Sequence, residues 1–242
     1  MAWLTISGSQ APLRCWFEGP DEPRSLVLVL PEVFGINSWL RDVASQLVAA
    51  GHGVLVIPLF ARTAPELDVG YDAPGLAEGR QHRDAVTAAG FQSDVDAVMR
   101  WVEQEPELTH LPLAGLGFCF GGHLAWHLAT RPELKATVSF YGARVSNFSP
   151  GGGAPTLKLA AEIPGRLLVW LGAEDPLMPA DEQQAICAAL QVADPTAERL
   201  QCRIAPEAGH GFMCSQRSDF QPEAAQLGWQ SLLELLGQVA QA

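Results

Sequence analysis

The stretch Gly115-Leu116-Gly117-Phe118-Cys119-Phe120-Gly121-Gly122-His123 decides how the chain folds. Upstream, Leu111-Pro112-Leu113-Ala114 leads in as a short apolar strand. Downstream, Leu124, Ala125, Leu128 and Ala129 recur at helical spacing. The reading is strand, abrupt turn, helix, with Cys119 the reactive side chain at the turn. Gly117 and Gly121 stand two before and two after it, a G-x-C-x-G pattern that is the cysteine form of a nucleophile elbow. So sharp a turn brings those two positions together, and only small residues fit there. The geometry lifts the sulfur clear of the sheet and aims the Phe120 N–H at an oxyanion forming on a substrate. Plainer readings exist. A buried cysteine is usually an inert hydrophobe. Glycine clusters also mark dinucleotide-binding turns, but Gly115, Gly117 and Gly121 lack the G-x-G-x-x-G spacing.

Around this stretch, strands and helices alternate. Residues 3–18 read as an antiparallel edge hairpin, and Ser25–Pro31 and Gly53–Pro58 as strands buried on both faces. The helix between these two starts near Ser38 and ends at Gly51, completing a right-handed β-α-β unit. Residues 60–79 read as an irregular excursion, with helices near 80–89 and 91–105 after it. Further strands are expected at 136–141, 166–172 and 200–205, and helices near 180–190 and 223–240. The predicted architecture is α/β: a mostly parallel central sheet, helices on both faces, and a single domain over residues 1–242.

Composition narrows the function. The chain has 242 residues, 48% of them hydrophobic, and a net charge of −12. That charge argues against nucleic acid and anionic membrane surfaces as partners. No apolar run approaches the roughly 18 residues a membrane span needs, and the amino terminus lacks a signal-peptide layout. Five cysteines with no C-x-x-C predict free thiols in a reducing, cytoplasmic setting.

A nucleophilic Cys119 needs a base. His210, in Glu207-Ala-Gly-His210-Gly-Phe212, follows a predicted strand, where an open α/β sheet puts its site. His123 and His127 lie on the helix behind the elbow and read as structural. As a metal pair they lack the glutamate of the zincin pattern, since Leu124 follows His123. Asp175, in Gly172-Ala-Glu-Asp175-Pro176, is the acid; Glu174 competes as a mere helix cap. Pro176, read as opening the next element, favours Asp175. Nucleophile, acid and base then come in the α/β-hydrolase order. Glu32, on the loop after the first central strand, either accepts the thiol proton, keeps the thiol neutral by raising its pKa, or reads as a surface carboxylate. The neighbouring Val33 N–H is the second candidate oxyanion donor.

Taken together, Glu32-Val-Phe-Gly, Gly117-Phe-Cys119-Phe-Gly-Gly, Gly172-Ala-Glu-Asp175-Pro and Ala208-Gly-His210-Gly-Phe resemble the dienelactone hydrolase family, over about residues 12–236. The resemblance implies an α/β-hydrolase fold without a large lid domain and a Cys119-His210-Asp175 triad. It implies that Glu32 hydrogen-bonds the resting cysteine. It also implies ring-opening hydrolysis of an unsaturated lactone such as 4-carboxymethylenebut-2-en-4-olide, with no metal or cofactor. Family members hold the substrate carboxylate with two arginines. One matches Arg80 or Arg83 here; the other position is Cys214, with Arg217 three residues on. The expected partner is a small lactone or ester, and the expected assembly a monomer or homodimer. The alternatives are a general carboxylesterase or thioesterase of the same fold, and a thiol sensor in which Cys214 resolves an oxidised Cys119.

Overall fold

The computed structural model describes residues 1–8 and 10–241. Eight strands form one sheet in the order β1-β2-β4-β3-β5-β6-β7-β8. They are β1 (Ala2–Ile6), β2 (Leu13–Glu18), β3 (Leu26–Leu30), β4 (Gly53–Val56), β5 (Leu113–Phe118), β6 (Leu134–Phe140), β7 (Arg166–Gly172) and β8 (Leu200–Ala205). The β1–β2 hairpin is antiparallel and joins the sheet antiparallel to β4; all other neighbours are parallel. Strands β3 and β5 are buried along their whole length because helices cover both faces.

Six helices supply those layers: α1 (Ser38–Ala49), α2 (Ala73–Arg83), α3 (Ala88–Gln104), α4 (Phe120–Ala129), α5 (Ala180–Ala193) and α6 (Pro222–Val239). Helix α1 buries Trp39, Leu40, Val43, Ala44 and Leu47, a stripe at helical spacing. One cluster joins α1 and α6 to one face of the sheet, and another joins α3 and part of α4 to the other. The chain runs from β3 to β4 on one side and then crosses back to β5. The reversal opens a crevice at the carboxyl ends of the strands.

Three expectations need correction. Helix α2 begins at Ala73, well before 80, because Asp72 caps it by accepting the Gly75 N–H at 2.8 Å. Pro74, inside the expected irregular excursion, sits in the first turn, where its missing N–H costs nothing. Pro176 does not open α5, which starts at Ala180. Nor are all five cysteines free. Cys187 on α5 and Cys202 on β8 form a disulfide, leaving Cys15, Cys119 and Cys214 as thiols. The pairing left no motif in the sequence because it depends on α5 packing along β8, 15 residues away.

Among the described residues, no helix is long and apolar enough to cross a membrane.

Candidate active site

The elbow forms as the glycine spacing demands. Cys119 lies between β5 and α4 at φ 53°, ψ −115°, a conformation that strains any residue with a side chain. A Cβ on Gly117 would sit 2.1 Å from the Gly121 carbonyl oxygen, and one on Gly121 would sit 2.3 Å from that of Leu30. The Cys119 N–H bonds the Phe140 carbonyl at 3.1 Å, and the Cys119 carbonyl accepts the His123 N–H at 2.9 Å. Both neighbours thus hold the strained residue in place.

Three side chains from three strand ends converge there. His210 Nε2 is 3.0 Å from Cys119 Sγ, and His210 Nδ1 is 2.8 Å from Asp175 Oδ2. The second carboxylate oxygen of Asp175 accepts the Leu177 N–H at 2.8 Å, which fixes its rotamer. The loops behind this pair are tied together: Glu174 N–H donates to the Ala208 carbonyl at 2.9 Å. Glu174 competes for the acid position in sequence only; its side chain is exposed. Burial would lower the His210 pKa, but the adjacent Cys119 and Asp175 overcome it and raise the imidazole to about 10. The Tyr141 ring meets His210 edge-on at 5.3 Å and walls it from behind.

A cavity of about 490 Å³ opens onto Cys119 and His210, a volume suited to a small molecule. Val33 and Phe120 line it, as do Arg80 and Arg83. Among the described residues, neither the Val33 nor the Phe120 N–H is taken by a loop or cap carbonyl. Arg83 is paired with Asp84 at 2.6 Å.

The sequence profile of the dienelactone hydrolase family matches residues 13–240. The chain belongs to the dienelactone hydrolase family. It is 33% identical over 212 residues to a Synechocystis protein named "Putative carboxymethylenebutenolidase", covering 87% of this chain and 84% of the relative. A Bradyrhizobium protein named "Probable 2-oxo-3-(5-oxofuran-2-ylidene)propanoate lactonase" is 29% identical, covering 96% and 92%. The crystal structure titled as a putative dienelactone hydrolase from Klebsiella pneumoniae superposes with a TM-score of 0.84 at 27% identity, covering 98% of both chains. This dienelactone hydrolase-like protein is thus an α/β-hydrolase-fold enzyme of the lactone and ester hydrolase class.

Two family-derived expectations are not met. Glu32 is fully buried at the end of β3, yet its Oε1 accepts from Arg217 Nη1 at 3.1 Å instead of holding the cysteine. Arg217 is therefore occupied. Its Nε and Nη2 also donate to Asp219, at 3.0 and 3.2 Å, and it does not line the cavity. Burial raises the Glu32 pKa, opposed by Arg217 and His210. Cys214 is fully buried, with its pKa pushed up to about 12 mainly by that burial. A thiol that rarely ionises is a poor partner for resolving an oxidised Cys119.

Some residues of this neighbourhood carried no signal in the sequence. The 60–79 excursion packs on the Glu32 loop through Ile36 N–H to the Leu67 carbonyl and Val69 N–H to the Phe34 carbonyl. It brings Tyr71 against Phe34, ring centroids 4.5 Å apart. Behind α4, His123 Nδ1 donates to the Ala143 carbonyl at 2.8 Å, so its Nε2 accepts the Thr156 hydroxyl proton. Thr156 Oγ1 in turn accepts from His127 Nε2 at 3.0 Å. The two histidines thus serve as a hydrogen-bonded brace.

Proposed function

We propose that the protein hydrolyses a lactone or small carboxylic ester with Cys119 as nucleophile, His210 as base and acid, and Asp175 as the residue orienting the imidazole. The observation that carries this reading is the unbroken hydrogen-bond chain from Asp175 through His210 to Cys119 at the floor of a cavity. The imidazole, its Nδ1 held by Asp175 and its Nε2 facing the sulfur, is placed to take the thiol proton.

In this reading the Cys119 sulfur attacks the carbonyl carbon, and the thiol proton resides on His210. The carbonyl electrons move to oxygen, where the Val33 and Phe120 N–H groups stabilise the charge. Collapse breaks the C–O bond, and His210 Nε2–H protonates the departing oxygen. In a lactone that oxygen remains tethered to the acyl group. His210 then takes a proton from water, hydroxide adds to the thioester, and the carboxylic acid leaves as Cys119 is regenerated. None of these steps calls on a metal or cofactor. Glu32, held by Arg217, lies close enough to His210 to interact with it electrostatically. Arg80, on α2, is assigned to a carboxylate on the substrate; Arg83, already paired with Asp84, is a weaker candidate. Occupation of Arg217 favours one competing reading, a neutral ester as substrate.

Steady-state hydrolysis of a dienelactone and of p-nitrophenyl acetate by wild type and Cys119→Ala tests the proposal. Turnover lost in the variant, with the dienelactone preferred by kcat/KM, supports it. Preference for the aryl ester moves the substrate to neutral esters, and turnover retained by Cys119→Ala removes the nucleophile assignment.

A further inference from the structure

The cavity holds more positive charge than the chemistry at Cys119 uses. Arg80, Arg83 and Arg144 line it, against the single lining carboxylate of Asp84, which Arg83 already occupies. Among the described residues, no carboxylate stands within ion-pair contact of the Arg144 guanidinium; the buried Glu182 carboxylate acts on it only through space. In a chain with 15 basic and 27 acidic residues, a guanidinium beside a cavity with no carboxylate in direct contact is uncommon.

Arg144 is also built into position. Its backbone adopts φ 66°, a left-handed conformation unfavourable for a side-chain-bearing residue. The surroundings hold it there. His123 Nδ1 ties down the preceding Ala143 carbonyl. The buried Glu182 carboxylate accepts hydrogen bonds from the Arg144 and Ser146 backbone N–H groups. The Arg144 carbonyl accepts the Phe148 N–H at 3.0 Å. The guanidinium itself stacks over the Phe148 ring, 4.7 Å from its centroid, and Phe148 lines the cavity too. Stacking consumes the face of the guanidinium and leaves its edge donors free for a planar oxyanion.

We propose that Arg144 determines specificity by binding a carboxylate on the substrate while the scissile carbonyl lies at Cys119. The proposal rests on the hydrolase reading of the same cavity. It gives the loop after β6 the task that Arg217, committed to Glu32 and Asp219, does not perform.

The test compares p-nitrophenyl acetate with the mono-p-nitrophenyl ester of adipic acid in wild type, Arg144→Gln and Arg144→Lys. Expected is a fall in kcat/KM for the adipate monoester that exceeds the fall for the acetate by about 10- to 100-fold, the range for a lost charge-assisted bond. It should reside in KM, and Lys should restore part of it. Equal losses on both esters, or an unchanged ratio, would overturn the proposal. A second measurement is independent of turnover: calorimetric binding of glutarate should weaken at least about tenfold in Arg144→Gln. Equal binding by both proteins overturns the Arg144 assignment. Failure of wild type to turn over either ester, with glutarate binding still lost in Arg144→Gln, counts against the hydrolase reading and not against the anion subsite.

Discussion

Arg217 Nη1 stands 3.1 Å from Glu32 Oε1, and both side chains are largely withdrawn from solvent. An arginine at this place in the sequence looks like a ligand for substrate, but a buried carboxylate claims it first. Breaking such a pair from one side strands a charge in low dielectric. Arg217→Met should therefore destabilise the fold by about 3 kcal/mol in urea unfolding. Glu32→Gln combined with Arg217→Met should recover part of that loss, since neither charge then remains. A double variant as unstable as the single one would contradict the pairing argument.

Asp175→Asn isolates the role of the acid. The asparagine oxygen can still accept the Leu177 N–H, so the loop keeps its shape. The charge beside His210 Nδ1 is lost, and the imidazole tautomer is no longer held. A fall in kcat of about 1,000-fold or more is expected on p-nitrophenyl acetate, with little change in thermal midpoint.

Gly121→Ala tests the elbow. The added methyl would meet the Leu30 carbonyl at 2.3 Å, backbone against backbone, with no flexible side chain to yield. Destabilisation of about 3 kcal/mol is expected, together with loss of activity. A variant that melts like wild type would mean the turn opens more easily than its packing implies.

The His123–Thr156–His127 brace predicts a pH dependence. Burial lowers both histidines to about 4, against a usual value near 6.5. The unfolded chain therefore binds more protons than the folded one between these limits, and stability falls as pH drops from about 6.5 towards 4. The raised pKa of His210 acts oppositely: its contribution is full below about 6.5 and is lost as pH rises towards 10. Thermal midpoints across pH 4–7 should show the acid loss, and His127→Gln, which keeps a donor for Thr156, should flatten it.

Thiol titration with Ellman's reagent in denaturant should find three groups without reductant and five after reduction. Replacing Cys187 with serine should cost about 3 kcal/mol, the loop-closure expectation for a cross-link across some 15 residues. Five thiols in the unreduced, denatured protein would remove the disulfide.

Much of this site is readable from the chain because each part has a local cause. Gly117 and Gly121 announce the turn by their absent side chains. His210 and Asp175 announce themselves by following strands, and strand ends are where an α/β sheet places chemistry. The reason for preferring Asp175 nevertheless failed at Pro176, which opens no helix; what distinguishes Asp175 from exposed Glu174 is its buried bond to His210. What resisted reading is non-local. Nothing near Arg217 in sequence points to Glu32, 185 residues away, and nothing near Cys187 points to Cys202. Arg144 follows an apolar strand as many surface arginines do; φ 66°, the His123 bond to the preceding Ala143 carbonyl and the Arg144 N–H facing Glu182 distinguish it.

The bond from Glu174 to Ala208 makes the site two pieces instead of three. The imidazole and its carboxylate come as one prefabricated unit on the β7–β8 side, and the sulfur comes alone on the β5–α4 side. Imidazole and sulfur meet at 3.0 Å. Exchanging sulfur for oxygen at position 119 is thus a change to one unit only, and the other arrives already aligned for whichever atom stands opposite.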